Sequence, residues 1–328
     1  MSSAICITAI CPTYNEAGFI EQVIRFFVDS GPAGKELYII DGGSTDDTVS
    51  IAEKWARKYP FIHVVPNPDK FVPQALNIGI KMAKGKFIVR LDAHTEYQVD
   101  YFDKIIETFH TIDADIVGGP MEAKGSTTVQ KAIAFATSGS FGIGNSKFHR
   151  IGFNGFTDSV YLGAWKQSLF EEVGYFDERM VRNQDDEFHY RAKSKGRKIY
   201  LNSEIKSFYF PRSDYASLFK QYFQYGLYKP LVLKKISSEI KWRHLIPLFF
   251  ILYLLILPAA FEFPPIVLPL LVYVLITIFL SFFNDQPLRV KLASLLVYPI
   301  LHVSYGAGFL TGLIMLNKLG SQKMNSVL

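Results

Sequence analysis

The stretch Lys86–Tyr97, KFIVRLDAHTEY, decides how this chain is read. A short apolar run stops at Asp92-Ala93-His94. Residues i and i+2 of a strand point the same way. If strand geometry continues through the triplet, Asp92 and His94 converge on one spot. A carboxylate and an imidazole there could hold a divalent cation, Mn²⁺ or Mg²⁺, which would neutralise a departing diphosphate. Taken alone, a D-x-H triplet reads as no more than the end of a strand.

Working outward, the flanking sequence alternates strand and helix patterns. AICITAICPTYNE is a strand that ends at Pro12, and GFIEQVIRFFV places Ile20, Val23, Ile24, Phe27 and Val28 at helical spacing. KELYIIDGG is a strand that stops at Asp41, and two glycines there let backbone approach a ligand. STDDTVSIAEKWARKY is a helix with Ser44 or Thr45 as its cap. FIHVVPN is a strand, PQALNIGIKMAKG a helix, and VDYFDKIIETFH a helix with Val99, Phe102, Ile106 and Phe109 on one face. This βα rhythm predicts an α/β fold with a mostly parallel sheet and helices on both faces. Ligands of such sheets bind at the carboxyl ends of the strands, where Asp41 and Asp92 stand.

Asp185, Asp186 and Glu187 open a further helix. Acids in a first turn are stabilised by the helix dipole, and that alone explains many such runs. The functional alternative is one carboxylate acting as a general base on a hydroxyl. Between Met121 and Gly163 the pattern weakens into a run rich in glycine and aromatics. The part from Ser138 to Gly163 is expected to be a loop that shapes an acceptor site. Cys6 and Cys11 on one short strand read as reduced thiols.

From Leu245 to Phe283 the only charged residue is Glu262, and Leu292–Leu316 carries none. Tracts this apolar read as membrane-embedded. Residues 245–283 are expected to form a hairpin. The segment 292–316 reads as re-entrant or interfacial, because a span would leave Lys318 and Lys323 on the far side. Residues 213–243 read as an aromatic, basic, amphipathic segment at the membrane surface. The N-terminal stretch lacks a basic n-region, and Lys229, Lys234, Lys235, Lys241 and Arg243 crowd the first apolar tract. Both features put the front of the chain on the cytoplasmic side. No nucleic-acid motif accompanies these basic residues. His302, ionisable inside an apolar tract, is a candidate for function or for a helix–helix hydrogen bond.

CPTYNE, IIDGGSTDDT, RLDAHTEY, VGGP and NQDDEFHYR, in this order, resemble an inverting family 2 glycosyltransferase with the GT-A fold over about Ile5–Arg212. DAH, FGIGNS, LGAWKQSLFEEVGYFDE and HVSYGAGFL are similar to membrane-associated glycosyltransferases of bacterial exopolysaccharide assembly, the succinoglycan type. The resemblance implies a catalytic domain over 1–212 and a membrane domain over 244–328. It implies that Pro12, Tyr14, Glu16, Asp41 and Asp92 bind a nucleotide-diphosphate sugar, most simply a UDP-sugar, and that Asp92 and His94 bind a metal. Asp185 would be the catalytic base. Gln184, Glu187, Arg191, Gly163 and Trp165 would contact the acceptor or support the base.

Processive relatives carry Q-x-x-R-W, and the nearest match here, Gln221–Tyr225, lacks both Arg and Trp. One sugar per encounter with a lipid-linked (polyprenyl-diphosphate) saccharide is therefore expected. An oligomer remains open. So do a transferase that loads polyprenyl phosphate itself and a non-catalytic scaffold with a decayed metal site.

Overall fold

The computed structural model describes residues 5–144, 147, 152–236 and 240–317. Six residues of the expected 138–163 loop (145, 146 and 148–151) lie outside the described residues, as do Lys318 and Lys323. The chain forms two compact units. The first runs to Glu122 and resumes over Lys147–Tyr209. The second joins Ala123–Ser146 to the residues from Phe210 onward. The expected contiguous 1–212 domain is thus interrupted, because 123–146 belongs with the C-terminal helices.

The first unit begins β1 (Ile7–Thr13), α1 (Ile20–Asp29), β2 (Lys35–Asp41), α2 (Thr48–Lys58), β3 (Ile62–Pro66), α3 (Val72–Met82) and β4 (Phe87–Arg90). It continues with β5 (Thr95–Tyr97), α4 (Tyr101–Thr111), β6 (Ile116–Gly119) and β7 (Met121–Ala123). After the excursion come β8 (Gly155–Phe156), β9 (Tyr161–Lys166), α7 (Leu169–Val173), α8 (Gln184–Ser194), β10 (Ile199–Leu201) and β11 (Ser207–Tyr209). The main sheet has the order β3-β2-β1-β4-β9-β6-β10-β8. The pairs β1–β2, β1–β4, β2–β3 and β6–β10 are parallel. β9 runs antiparallel between β4 and β6, and β8 antiparallel to β10. β5, β11 and β7 make a small second sheet.

Alternation along the central strands feeds two cores. Ile7, Ala9, Cys11, Leu37, Ile39, Phe87 and Val89 pack on one face with α1 and α4. Ile10, Tyr38, Ile40 and Ile88 pack on the other with α3 and α8. A sheet covered on both sides explains why β2 is buried along its whole length. Its buried Glu36 carboxylate accepts bonds from Thr8 Oγ1 (2.6 Å) and Lys84 N (2.7 Å). Two local expectations change. α4 starts at Tyr101, so Val99 precedes the first turn and is exposed, and the buried face is Tyr101, Phe102, Ile105, Thr108 and Phe109. α2 starts at Thr48, because Ser44 and Thr45 are held in the preceding loop by Asp41 and Asn15.

The second unit contains α5 (Thr128–Ser138), α6 (Ser140–Ile143), α9 (Tyr215–Lys235), α10 (Trp242–Ile256), α11 (Leu268–Phe282) and α12 (Leu288–Ile314). Trp242–Phe261, Pro264–Phe282 and Leu288–Ile314 are long and apolar enough to cross a membrane. The first two keep most of their apolar surface exposed, as a lipid-facing pair would. α12 is a continuous helix of 27 residues, about 40 Å long at 1.5 Å per residue.

α9 packs along α12, where glycines bring the two backbones together. A Cβ on Gly308 would sit 2.0 Å from the Phe223 carbonyl oxygen, and one on Gly312 2.3 Å from that of Leu227. His302 on α12 is saturated. Its Nε2 lies 2.7 Å from the Phe141 carbonyl oxygen, and its Nδ1 2.8 Å from Tyr273 Oη on α11.

Candidate active site

The strand order reverses about β1, whose neighbours are β2 and β4, and the loops at their carboxyl ends form the candidate site. Asn15 follows β1 in the left-handed region, with φ 56°. Its Oδ1 accepts from Thr45 N (2.8 Å), and its own N–H donates to Ser44 Oγ (2.8 Å). Glu16 N donates to Thr48 Oγ1 (2.7 Å) and Ala17 N to Asp46 Oδ2 (3.1 Å). Asp41 accepts from Gly43 N (2.8 Å), Ser44 N (2.9 Å) and Ser44 Oγ (2.5 Å). Both carboxylate oxygens of Asp41 are therefore occupied in building its own turn. Tyr14 stands exposed at the rim, while Pro12 is the penultimate residue of β1.

β4 ends at Arg90, and the chain turns at once. The Asp92 carbonyl accepts from Thr95 N (3.2 Å) and Tyr97 Oη (3.2 Å), and Asp92 N donates to Tyr97 Oη (2.7 Å). Burial, then the charge of Asp92, pushes the Tyr97 hydroxyl well above its ordinary pKa, so it stays protonated as a donor. β4 ends at Arg90, so the alternation of a strand does not extend through Asp92 and His94. Asp92 pairs with Arg90, through Nε–Oδ1 (2.8 Å) and Nη2–Oδ2 (3.2 Å). His94 Nδ1 lies 3.3 Å from Glu16 Oε1 instead.

Among the described residues no group of three His, Cys, Asp or Glu side chains is arranged to hold a metal ion. Glu16 and His94 form a pair whose chemistry and spacing suit a divalent cation. Two ligands about 2.1 Å from one ion at a right angle stand about 3 Å apart. Sites that bind a metal diphosphate often supply only one or two protein ligands. Burial first, then the charges of Asp92 and Glu16, pushes the Cys11 thiol well up.

Asp185 is in the first turn of α8, after Asn183 in the left-handed region (φ 59°). Arg90 Nη1 donates to Asp185 Oδ2 at 2.7 Å. The other oxygen, Oδ1, is buried without a hydrogen-bond partner. A carboxylate anchored through one oxygen, with the other bare, is what a general base requires. Burial would lower the Arg90 pKa, but the charges of Asp185 and Asp92 outweigh it and hold the guanidinium above its ordinary value.

The supporting residues separate from the site. Trp165 is fully buried among Phe170, Phe176 and Phe188 and belongs to the core, not to an acceptor surface. Gly163 makes room for it, since a Cβ there would meet Trp165 Cζ2 at 2.8 Å. Glu187, with no exposed surface, pairs with Arg191 through 2.9 and 3.0 Å bonds, and Arg191 also donates to the Val173 and Tyr175 carbonyls. This ties α8 to the end of α7. Gln184 is buried at the helix start.

The sequence model described as glycosyl transferase family 2 matches residues 8–174. The chain belongs to that family. The succinoglycan biosynthesis protein ExoA of Rhizobium meliloti is 34% identical to it over 221 residues, 66% of this chain and 67% of ExoA. The dolichyl N-acetyl-α-D-glucosaminyl phosphate 3-β-D-2,3-diacetamido-2,3-dideoxy-β-D-glucuronosyltransferase of Methanococcus voltae is 30% identical over 318 residues, 94% of this chain and 97% of the relative. The mannosyltransferase PcManGT of Pyrobaculum calidifontis, solved with GDP-Man and Mn²⁺, superposes with TM-score 0.58 at 17% identity, covering 96% of this chain and 88% of that one. S. aureus TarS 1-349 with UDP-GlcNAc gives TM-score 0.52 at 14% identity, covering 96% and 92%. The fold of this family 2 member is GT-A, and its apolar C-terminal helices fit membrane association.

Two residues of this family 2 site escaped sequence reasoning. Arg90 was visible as the one charge in an apolar strand, which calls for a buried partner. Tyr97, which locks the Asp92 turn, carried no signal before the turn was known.

Proposed function

We propose that this glycosyltransferase moves a sugar from a nucleotide-diphosphate sugar to a lipid-linked saccharide, one residue at a time and with inversion. The supporting observation is Asp185, with Oδ2 held by Arg90 and Oδ1 buried and bare. Oδ1 takes the proton of the acceptor hydroxyl. The hydroxyl oxygen attacks the anomeric carbon opposite the leaving group, and the bond to the diphosphate breaks with its electrons on the nucleoside diphosphate. The loops of Tyr14–Glu16 and Asp41–Ser44 receive the nucleotide beside Asp92. A divalent cation at His94 and Glu16 would neutralise the diphosphate. A cation is in keeping with the Mn²⁺ of PcManGT, and a nucleotide-sugar donor with the GDP-Man and UDP-GlcNAc of the solved structures. A lipid-linked acceptor agrees with the name of the M. voltae relative, which specifies a dolichyl-phosphate-linked sugar. The basic residues ahead of α10 favour a catalytic domain on the cytoplasmic face, with residues 213–243 joining it to a membrane domain.

The test is transfer by the full chain with UDP-glucose, UDP-galactose, UDP-N-acetylglucosamine or GDP-mannose and a bacterial membrane lipid extract, with the product anomer read by NMR. A product with retained configuration, or transfer directly to polyprenyl phosphate, overturns the reading.

A further inference from the structure

We infer that Arg90 is a positioning residue of the transfer step: its single guanidinium sets the donor-side carboxylate of Asp92 and the carboxylate of Asp185 at one fixed spacing. The inference rests on the proposed role of Asp185 as the base.

Three hydrogen bonds carry it. Nε and Nη2 hold the two oxygens of Asp92 at 2.8 and 3.2 Å, while Nη1 holds Asp185 Oδ2 at 2.7 Å. A guanidinium is planar, so bonds along two of its edges fix the angle between the two acids as well as their distance. The group is 8% exposed, so water competes little for these bonds. The frame is also locked at the Asp92 end, where Tyr97 Oη and Thr95 N hold the main chain. Asp185 approaches from a segment 95 positions away, and its remaining oxygen is buried and unpartnered. Arg90 therefore fixes how the Asp185 carboxylate is oriented, binding Oδ2 and leaving Oδ1 without a partner among the described residues. A lysine carries one point charge and can satisfy one carboxylate, but it cannot set the angle between two.

The test uses the full chain in detergent with whichever of the four nucleotide sugars above turns over fastest, and UDP binding by calorimetry. Arg90→Lys is expected to lower kcat by about 10²-fold, the cost of a misplaced reacting group, with donor KM and UDP affinity within about threefold of native. Arg90→Ala is expected to lose at least as much, and millimolar guanidine should restore about tenfold of it. If Arg90→Ala does not fold, Arg90→Lys decides. A native kcat in Arg90→Lys overturns the inference. So does a loss carried by donor KM alone, or a folded, UDP-binding Arg90→Ala that guanidine does not rescue. Asp185→Asn is run alongside. If it turns over normally, the base assignment fails; if it is inactive while Arg90→Lys is native, only the role of Arg90 fails.

Discussion

His94 Nδ1 lies 3.3 Å from Glu16 Oε1, joining the turn after β4 to the loop after β1. The spacing suits an ion pair and equally two neighbouring ligands of one cation. If it is the latter, Glu16→Gln and His94→Ala should each weaken Mn²⁺ binding in the presence of UDP by at least about tenfold, the smaller of the losses seen when even an outer partner is removed. Electron paramagnetic resonance of bound Mn²⁺ reads this without turnover. His94→Asp should keep activity and shift preference towards Mg²⁺, which favours all-oxygen sites. Native Mn²⁺ affinity in both loss variants would leave the pair as a plain ion pair.

Asp185→Asn keeps the shape of the side chain and removes its basicity. Turnover should fall by about 10²–10⁴-fold, the usual contribution of a positioned base. UDP affinity should stay near native, because the proposed role of Asp185 is towards the acceptor hydroxyl and not the nucleotide. A phosphate nucleophile has less need of a base, so a variant with near-native turnover would indicate loading of polyprenyl phosphate instead.

What was legible in the sequence follows the range of the forces involved. The strands β1 to β4 and their ends at Asp41 and Asp92 follow from local apolar runs, and so does the helix that carries Asp185. The D-x-H stretch does not continue the period-two alternation of β4, because past Arg90 the Thr95 N–H to Asp92 bond closes a turn. The bond from Arg90 to Asp185 spans 95 positions, and no local pattern encodes it. Trp165 was expected, from its place in a motif, to contact the acceptor or to support the base. The antiparallel insertion of β9 between β4 and β6 instead seals it in the core. Aromatic and basic composition suggested that α9 lies on a surface. Gly226, Gly308 and Gly312, which mark a helix–helix approach, were the better signal.

Glu187 is wholly buried and answered by Arg191. Arg191→Ala removes the guanidinium that answers that buried carboxylate, at a cost of about 3–5 kcal/mol. Thermal unfolding in detergent should show a clearly lowered midpoint, and Glu187→Leu combined with Arg191→Met should recover much of it. Activity per folded molecule should stay within about threefold of native in the double variant. A native midpoint in Arg191→Ala would show that the pair does not hold α8 to α7, and a double variant that folds and is inactive would show that it does more than that.

His302 separates a functional ionisable group from a structural one. A carbonyl can only accept, so Nε2 must carry the proton that goes to Phe141. Nδ1 is then left as the acceptor for the Tyr273 hydroxyl. The neutral ring therefore satisfies both contacts, and it links α12 to α11 and α6. Each bond between helices of this kind is worth about 0.6 kcal/mol and at most about 1.7. Tyr273→Phe removes one and should lower the unfolding midpoint slightly; His302→Phe removes both and should lower it further. Transfer per folded molecule should stay within about threefold in each. Loss of transfer in His302→Phe with an unchanged midpoint would assign the imidazole a part in the reaction or in acceptor passage.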